Sequence, residues 1–323
     1  MATPAVAGTS LFIGSCAGVF YALDKSSGAI LWQQEVARGD QRVGFHGDPL
    51  VTEDMVIVGT DINGVPAGAG YVYAFDRGSG QQRWKAAAGR GIASDLIRAG
   101  ASLYGVTLSD AIVSLDLQTG RQNWSFTSRL GREDRIPTAP VSAAGYVFYG
   151  DRDGGLYALQ AETGQVIWKR QFTTPVSTSL VAAGTSLYLG AASHIYRINQ
   201  KTGEIEADFL ADGWSFGRPL VVDQALLIFI GDTLTSLDLS LKQIRWRQKS
   251  ASQWTSPRPL RRGSLVLAGN ESGEVLTYRI SDGAAQGTRK LQGIIRSLGN
   301  GDHILYVGTK QGTVYALRER NLN

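Results

Sequence analysis

Short apolar runs alternate with polar residues along the whole chain, and the alternation returns about every forty residues. In the fourth copy it divides into four strands, Ala139 to Ala143, Tyr146 to Gly150, Gly155 to Gln160 and Gln165 to Phe172, joined by Gly-rich or Asp-containing turns. Tyr157 and Leu159 of the third strand share one face, since side chains alternate along a strand. The segment Gly150-Asp151-Arg152-Asp153-Gly154-Gly155 and its late equivalent Gly308-Thr309-Lys310-Gln311-Gly312 supply the turn chemistry that hairpins need. No helix-period stretch competes.

The pattern carries a fixed set of residues. Tyr21-Ala22-Leu23-Asp24 is followed by Gly28 and Trp32, Tyr73-Ala74-Phe75-Asp76 by Gly80 and Trp84, Val113-Ser114-Leu115-Asp116 by Gly120 and Trp124, and Tyr157-Ala158-Leu159-Gln160 by Gly164 and Trp168. In all four, Trp follows Gly by four positions. Worn copies lie at Tyr196-Arg197-Ile198-Asn199 with Gly203, Thr235-Ser236-Leu237-Asp238 with Trp246, Thr277-Tyr278-Arg279-Ile280 with Gly283, and Tyr315-Ala316-Leu317-Arg318. Eight such units predict an all-β, eight-bladed β-propeller of four-stranded antiparallel blades, with repeats at about 3–36, 47–88, 94–127, 138–172, 178–210, 217–250, 257–291 and 296–321 in one domain. Trp32, Trp84, Trp124, Trp168 and Trp246 then pack between blades. The last blade is incomplete, because Thr313 to Leu317 is followed by only a few residues. Either this blade has three strands, or an N-terminal segment, with its export signal, has been trimmed away.

The repeat Tyr-Ala-Leu-Asp, two residues, Thr-Gly, three residues, Trp resembles the pyrroloquinoline-quinone-type β-propeller repeat family over nearly the whole chain. The Gly-His and Trp-Asp pairs of WD repeats are absent from these positions. The resemblance implies an exported bacterial protein of the periplasm or cell envelope. In overall form it is similar to a non-catalytic scaffold of outer-membrane assembly that binds another protein. It also implies a rival, a small-molecule or quinone-binding propeller related to quinone-dependent dehydrogenases. Those relatives are longer, carry a metal beside the quinone, and many have a disulfide of adjacent cysteines, which one cysteine cannot supply.

The net charge of +4 is mild for 323 residues, with Lys and Arg scattered, so nucleic acid is not indicated. No run of eighteen apolar residues exists to span a membrane as a helix. Eight protected blades need no second subunit, which predicts a monomer. Cys16, the single cysteine, sits in Ile13-Gly14-Ser15-Cys16, a loose mimic of a lipoprotein cleavage box. Alignment with Phe148-Tyr149-Gly150-Asp151 instead assigns it to a buried strand.

A propeller offers function where equivalent loops converge at its channel. Counting back from the second-strand glycines Gly59, Gly150, Gly190, Gly269 and Gly308 gives Asp48, Ala139, Ser179, Arg258 and Ser297, and by pattern Thr3, Asp95 and Arg218 fill the places in the other three blades. In an eightfold ring the two Asp residues lie opposite the two Arg residues, an electrically polarised mouth. Trp214 and Trp254 each precede one of these arginines by four residues. Adjacent indoles beside guanidinium groups, with Arg296 and His46 at the border, make a platform for a partner peptide or an anionic or aromatic ligand. No nucleophile–base constellation, cofactor or metal site is expected. Asp61-Ile62-Asn63-Gly64 resembles only the start of a calcium loop, and His46, His194 and His303 fall at non-equivalent positions. The charged insertion Arg129 to Arg135 is a second place where a partner could dock.

Overall fold

The structure, a computed structural model, describes residues 2–36, 43–62, 70–109, 111–128, 138–151 and 153–318. Among these no helix occurs, and the strands form seven sheets of four and an eighth of three. The sheets are antiparallel meanders, the eight blades of a β-propeller. The third is typical, with strands Ile97–Ala99, Ser102–Val106, Ala111–Asp116 and Gln122–Thr127 in sequential order. A small extra sheet pairs Val43–Gly44 with Asp61–Ile62. The chain forms two compact units, Met1–Arg152 with Leu159–Val166, and Asp153–Ala158 with Ile167–Asn323. The contacts described below lie within one unit or the other. The insertion Arg129 to Arg135, and Asn63 and Gly64 of the calcium-like segment, lie outside the described residues.

The repeated motif works as a single device. Asp116 ends the third strand, and its Oδ1 accepts hydrogen bonds from the N–H groups of Gln118 (3.1 Å) and Thr119 (2.8 Å) and from Thr119 Oγ1 (2.7 Å). These bonds, the hydroxyl's first, hold the carboxyl below its ordinary range. Gly120 closes the turn with φ +69°. In the outer strand, Trp124 pairs with Ser114 but Gln122 pairs with Leu115, a bulge at Asn123. The same shift recurs in the outer strands of the first, second, fifth, sixth and seventh blades. It sets each Trp opposite a small residue, Ala22, Ala74, Ser114 or Ser236.

From there each indole reaches the glycine turn of the following blade. A Cβ added to Gly120 would lie 2.4 Å from Trp84 Cε3, and one on Gly80, Gly164, Gly203 or Gly283 would strike Trp32, Trp124, Trp168 or Trp246 at 2.6–2.7 Å. Each indole N–H also donates to the backbone carbonyl three residues before that glycine: Trp32 to Arg77 (3.1 Å), Trp84 to Leu117 (3.2 Å), Trp124 to Ala161 (3.0 Å), Trp168 to Gln200 (2.9 Å) and Trp246 to Ile280 (2.8 Å). The five repeat tryptophans are therefore structural.

Between the fifth and sixth blades the device is rebuilt from other residues. Ala207 stands at the Trp position, paired with Arg197. In the sixth-blade turn Leu241 adopts φ +58°, and its side chain is buried in the cluster of Tyr188, Leu226 and Leu237 against which Ala207 packs. Tyr188 Oη donates to the carbonyl of Leu239 (2.9 Å), the counterpart of the carbonyls the indoles use. A side chain projecting from the turn thus fills the space that an indole fills elsewhere, and it accepts the cost of a left-handed backbone. Leu241→Ala keeps the backbone and removes the filling. Its unfolding free energy by denaturant titration should fall by about 2–5 kcal/mol, the range for a core leucine rather than a turn residue.

Candidate functional site

Backbone N–H groups at the start of an inner strand must find acceptors when buried. In the first unit, carboxylates supply them. Thr3 N–H donates to Asp48 Oδ1 (2.6 Å), and Asp48 N–H donates to Asp95 Oδ1 (2.9 Å). In the second unit, backbone carbonyls do the same work at the same repeat position. Ser179 N–H donates to the carbonyl of Gly217 (2.9 Å), and Arg218 N–H to that of Pro257 (2.7 Å). The backbones approach closely here: a Cβ on Gly47 would lie 2.2 Å from the Ser94 carbonyl oxygen. The aligned position is therefore a blade-to-blade link, and Asp48 and Asp95 take part in it.

The three arginines sit in irregular stretches of the second unit. Phe216 pairs with Phe229 and Leu220 with Leu227, a register shift that holds Arg218 between them. Ile295 pairs with Thr309 and Ser297 with Gly308, leaving Arg296 as a bulge residue. Arg258 lies between the bridge of Trp254 to Asn270 and the pair of Leu260 with Leu267. Such bulges re-aim side chains, and all three arginines are half-buried. The segments adjoin one another, since Arg218 bonds to Pro257 and Thr255 Oγ1 donates to the carbonyl of Ile295 (2.5 Å).

The two tryptophans beside them do not form a pair. Trp214 is 63% exposed just before the strand Ser215–Val222, whereas Trp254 is 2% exposed. Trp254 stacks on Phe229 (5.4 Å between centroids), and its Nε1 donates to the carbonyl of Asp232 (2.8 Å). The bridge to Asn270 brings this tryptophan into the sheet, where it joins Leu227, Leu234 and Val266 in the core. The platform of two adjacent exposed indoles expected from the sequence is therefore not formed.

His46 is held by Asp61, with Nδ1 2.8 Å from Oδ1. His194 pairs with Asp208 (2.8 Å) and stacks on Tyr196. Among the described residues no three His, Cys, Asp or Glu side chains are grouped to hold a metal ion. Cys16 does not lie in a buried strand: the strand Ser10–Gly14 ends before it, and Cys16 is exposed in the turn that follows.

A family model described as outer membrane protein assembly factor BamB matches residues 1–125 and 109–321. The chain belongs to the BamB family. It is similar to outer membrane protein assembly factor BamB of Legionella pneumophila (strain Paris), 26% identical over 193 residues, covering 58% of this chain and 47% of that protein. The corresponding Burkholderia pseudomallei (strain K96243) protein is 23% identical over 338 residues, covering 98% and 84%. The chain thus spans about half of the first relative's length and most of the second's. The crystal structure of BamB from Moraxella catarrhalis superposes with a TM-score of 0.80 at 17% identity, covering 98% of this chain and 95% of that one. A computationally designed protein, Ika8, superposes with a TM-score of 0.81, also at 17% identity. The two structural likenesses show the fold alone.

The different environments of the two tryptophans should separate them in solution. Trp254→Ala is expected to lower the unfolding free energy by about 3–5 kcal/mol. Trp214→Ala should stay within about 0.5 kcal/mol of the native chain by the same denaturant titration.

Proposed function

We propose that this BamB-family chain is a non-catalytic, protein-binding scaffold of outer-membrane protein assembly, acting as a single chain on the periplasmic side of the bacterial envelope. The observation that carries the reading is the family match running from end to end of the repeats. The motif residues that recur from blade to blade are occupied in joining blades, which leaves the irregular connecting segments to meet a partner.

In this reading the partner-contact surface lies in the second unit, with Trp214 as an exposed aromatic anchor and Arg218, Arg258 and Arg296 on the adjoining segments. Tryptophan and arginine are over-represented among residues that dominate protein interfaces. The three cations favour a partner segment bearing carboxylates. Asp48 and Asp95 serve the blade link, and Trp254 is left out of the surface because it is buried.

Tagged chain mixed with detergent-solubilised bacterial envelope should retain other outer-membrane assembly proteins. The combined variant Trp214→Ala, Arg218→Ala, Arg258→Ala, Arg296→Ala should weaken that retention at least about tenfold, or about 1.4 kcal/mol. If the native chain retains no assembly protein, the scaffold reading fails. Equal retention by the variant would move the contact surface elsewhere.

A further inference from the structure

A cluster of nucleophilic and titratable side chains lies in the first unit. In the first blade Cys16 is exposed in the turn between the strands Ser10–Gly14 and Val19–Asp24, with Sγ 3.7 Å from His46 Nε2. On the far side of the ring, His46 Nδ1 is 2.8 Å from Asp61 Oδ1. Exposure falls along the line, from the open thiol to a His46 side chain at 20% and an Asp61 side chain at 6%. The order is nucleophile, base and buried orienting carboxylate, with the imidazole between the other two rather than all three converging on one point.

Each member is fixed by its surroundings. Ser15 Oγ accepts hydrogen bonds from the N–H groups of Ala17 (3.3 Å) and Val19 (3.1 Å), which sets the turn that carries Cys16. Phe45 N–H donates to the Ser15 carbonyl (3.3 Å), tying the segment that carries His46 to the same turn. The fully buried Phe45 ring lies over Gly14, where an added Cβ would come within 2.2 Å of Phe45 Cβ. Gly44 pairs with Asp61 across the small sheet, and a Cβ there would lie 2.7 Å from His46 Cε1 and 3.1 Å from Asp61 Oδ1. The bare Gly44 thus opens the space in which the ring meets the carboxylate.

With Nδ1–H donated to Asp61, the Nε2 lone pair faces the thiol. We propose that Cys16 is an activated thiol that exchanges with small-molecule disulfides, with His46 as the base and Asp61 as its positioning residue. The Cys16 proton passes to His46 Nε2 as Sγ bonds one sulfur of the disulfide. The S–S bond breaks, and the departing thiolate takes the proton back from His46. The Cys16 sulfur is oxidised to the mixed disulfide and one sulfur of the small-molecule disulfide is reduced to the released thiol, so that disulfide is itself the oxidant. Cys16 is the single cysteine of the chain, so no internal thiol can resolve the product. Cys16 is therefore a covalent modification site, without turnover, and it is compatible with a non-catalytic scaffold.

The test measures, by intact mass, the rate at which the full chain forms a mixed disulfide with oxidised glutathione. Folded chain should react at least about tenfold faster than the same chain in guanidinium at the same pH, and His46→Gly should remove that advantage. Free imidazole should restore the rate of His46→Gly, which a purely structural role for His46 would not allow. Asp61→Asn should slow the reaction several-fold with the fold kept by circular dichroism, and it carries the test if His46→Gly does not fold. A folded rate no higher than the unfolded one overturns the proposal, as does a reaction indifferent to both substitutions. Capture of envelope proteins by the native chain is measured separately, so failure here leaves the scaffold reading standing.

Discussion

The contact on which the blades depend is an indole lying flat on a glycine. A four-stranded sheet that is apolar on both faces cannot stand alone, and its stability comes from stacking on its neighbours. Trp84 illustrates how the stacking is given one geometry. Its face covers Gly120 and its N–H reaches the Leu117 carbonyl, so dispersion and a directional bond act on the same turn. The turn is itself held by Asp116, so a motif that reads as local sequence is a set of parts for a contact between blades. Where the indole is missing, Leu241 and Tyr188 reproduce both halves of the contact, the filled space and the donated hydrogen bond.

A platform locked in this way is suited to holding surfaces in place. Five of the seven tryptophans are used between blades and a sixth, Trp254, stacks in the core of one unit, which leaves Trp214 as the exposed indole. The carboxylates of Asp48 and Asp95 are engaged by the backbone of the preceding blade. In the proposed scaffold role, recognition falls to segments that break the repeat, among them those carrying Arg218, Arg258 and Arg296. The Cys16 line likewise depends on an irregularity, the extra pairing of Val43–Gly44 with Asp61–Ile62.

The blades were legible because their residues recur with the period: Gly and Trp four apart mark a turn and a strand whatever the rest of the unit does. The site residues were less so, because spacing along the chain does not report which way an irregular segment turns. Trp214 and Trp254 have identical offsets from Arg218 and Arg258, yet a bridge to Asn270 draws Trp254 into the core. Asp48 and Asp95 read as charges facing a channel, but a backbone N–H from another blade, more than forty residues away in sequence, determines their role. The repeat alignment sets Cys16 in a strand, whereas the turn begins at Ser15. His46 and Asp61 are fifteen residues apart, and no pattern of types signals that Gly44 leaves room for them to meet.

A double-mutant cycle on Trp84 and Gly120, followed by denaturant unfolding, tests the indole–glycine contact most directly. Gly120→Ala alone meets both the Trp84 ring and a left-handed backbone, while in the Trp84→Ala background only the backbone strain of about 1–2 kcal/mol remains. The account predicts a coupling of at least about 1 kcal/mol between the two sites. Additive effects, with Gly120→Ala equally costly whether or not the indole is present, would contradict it.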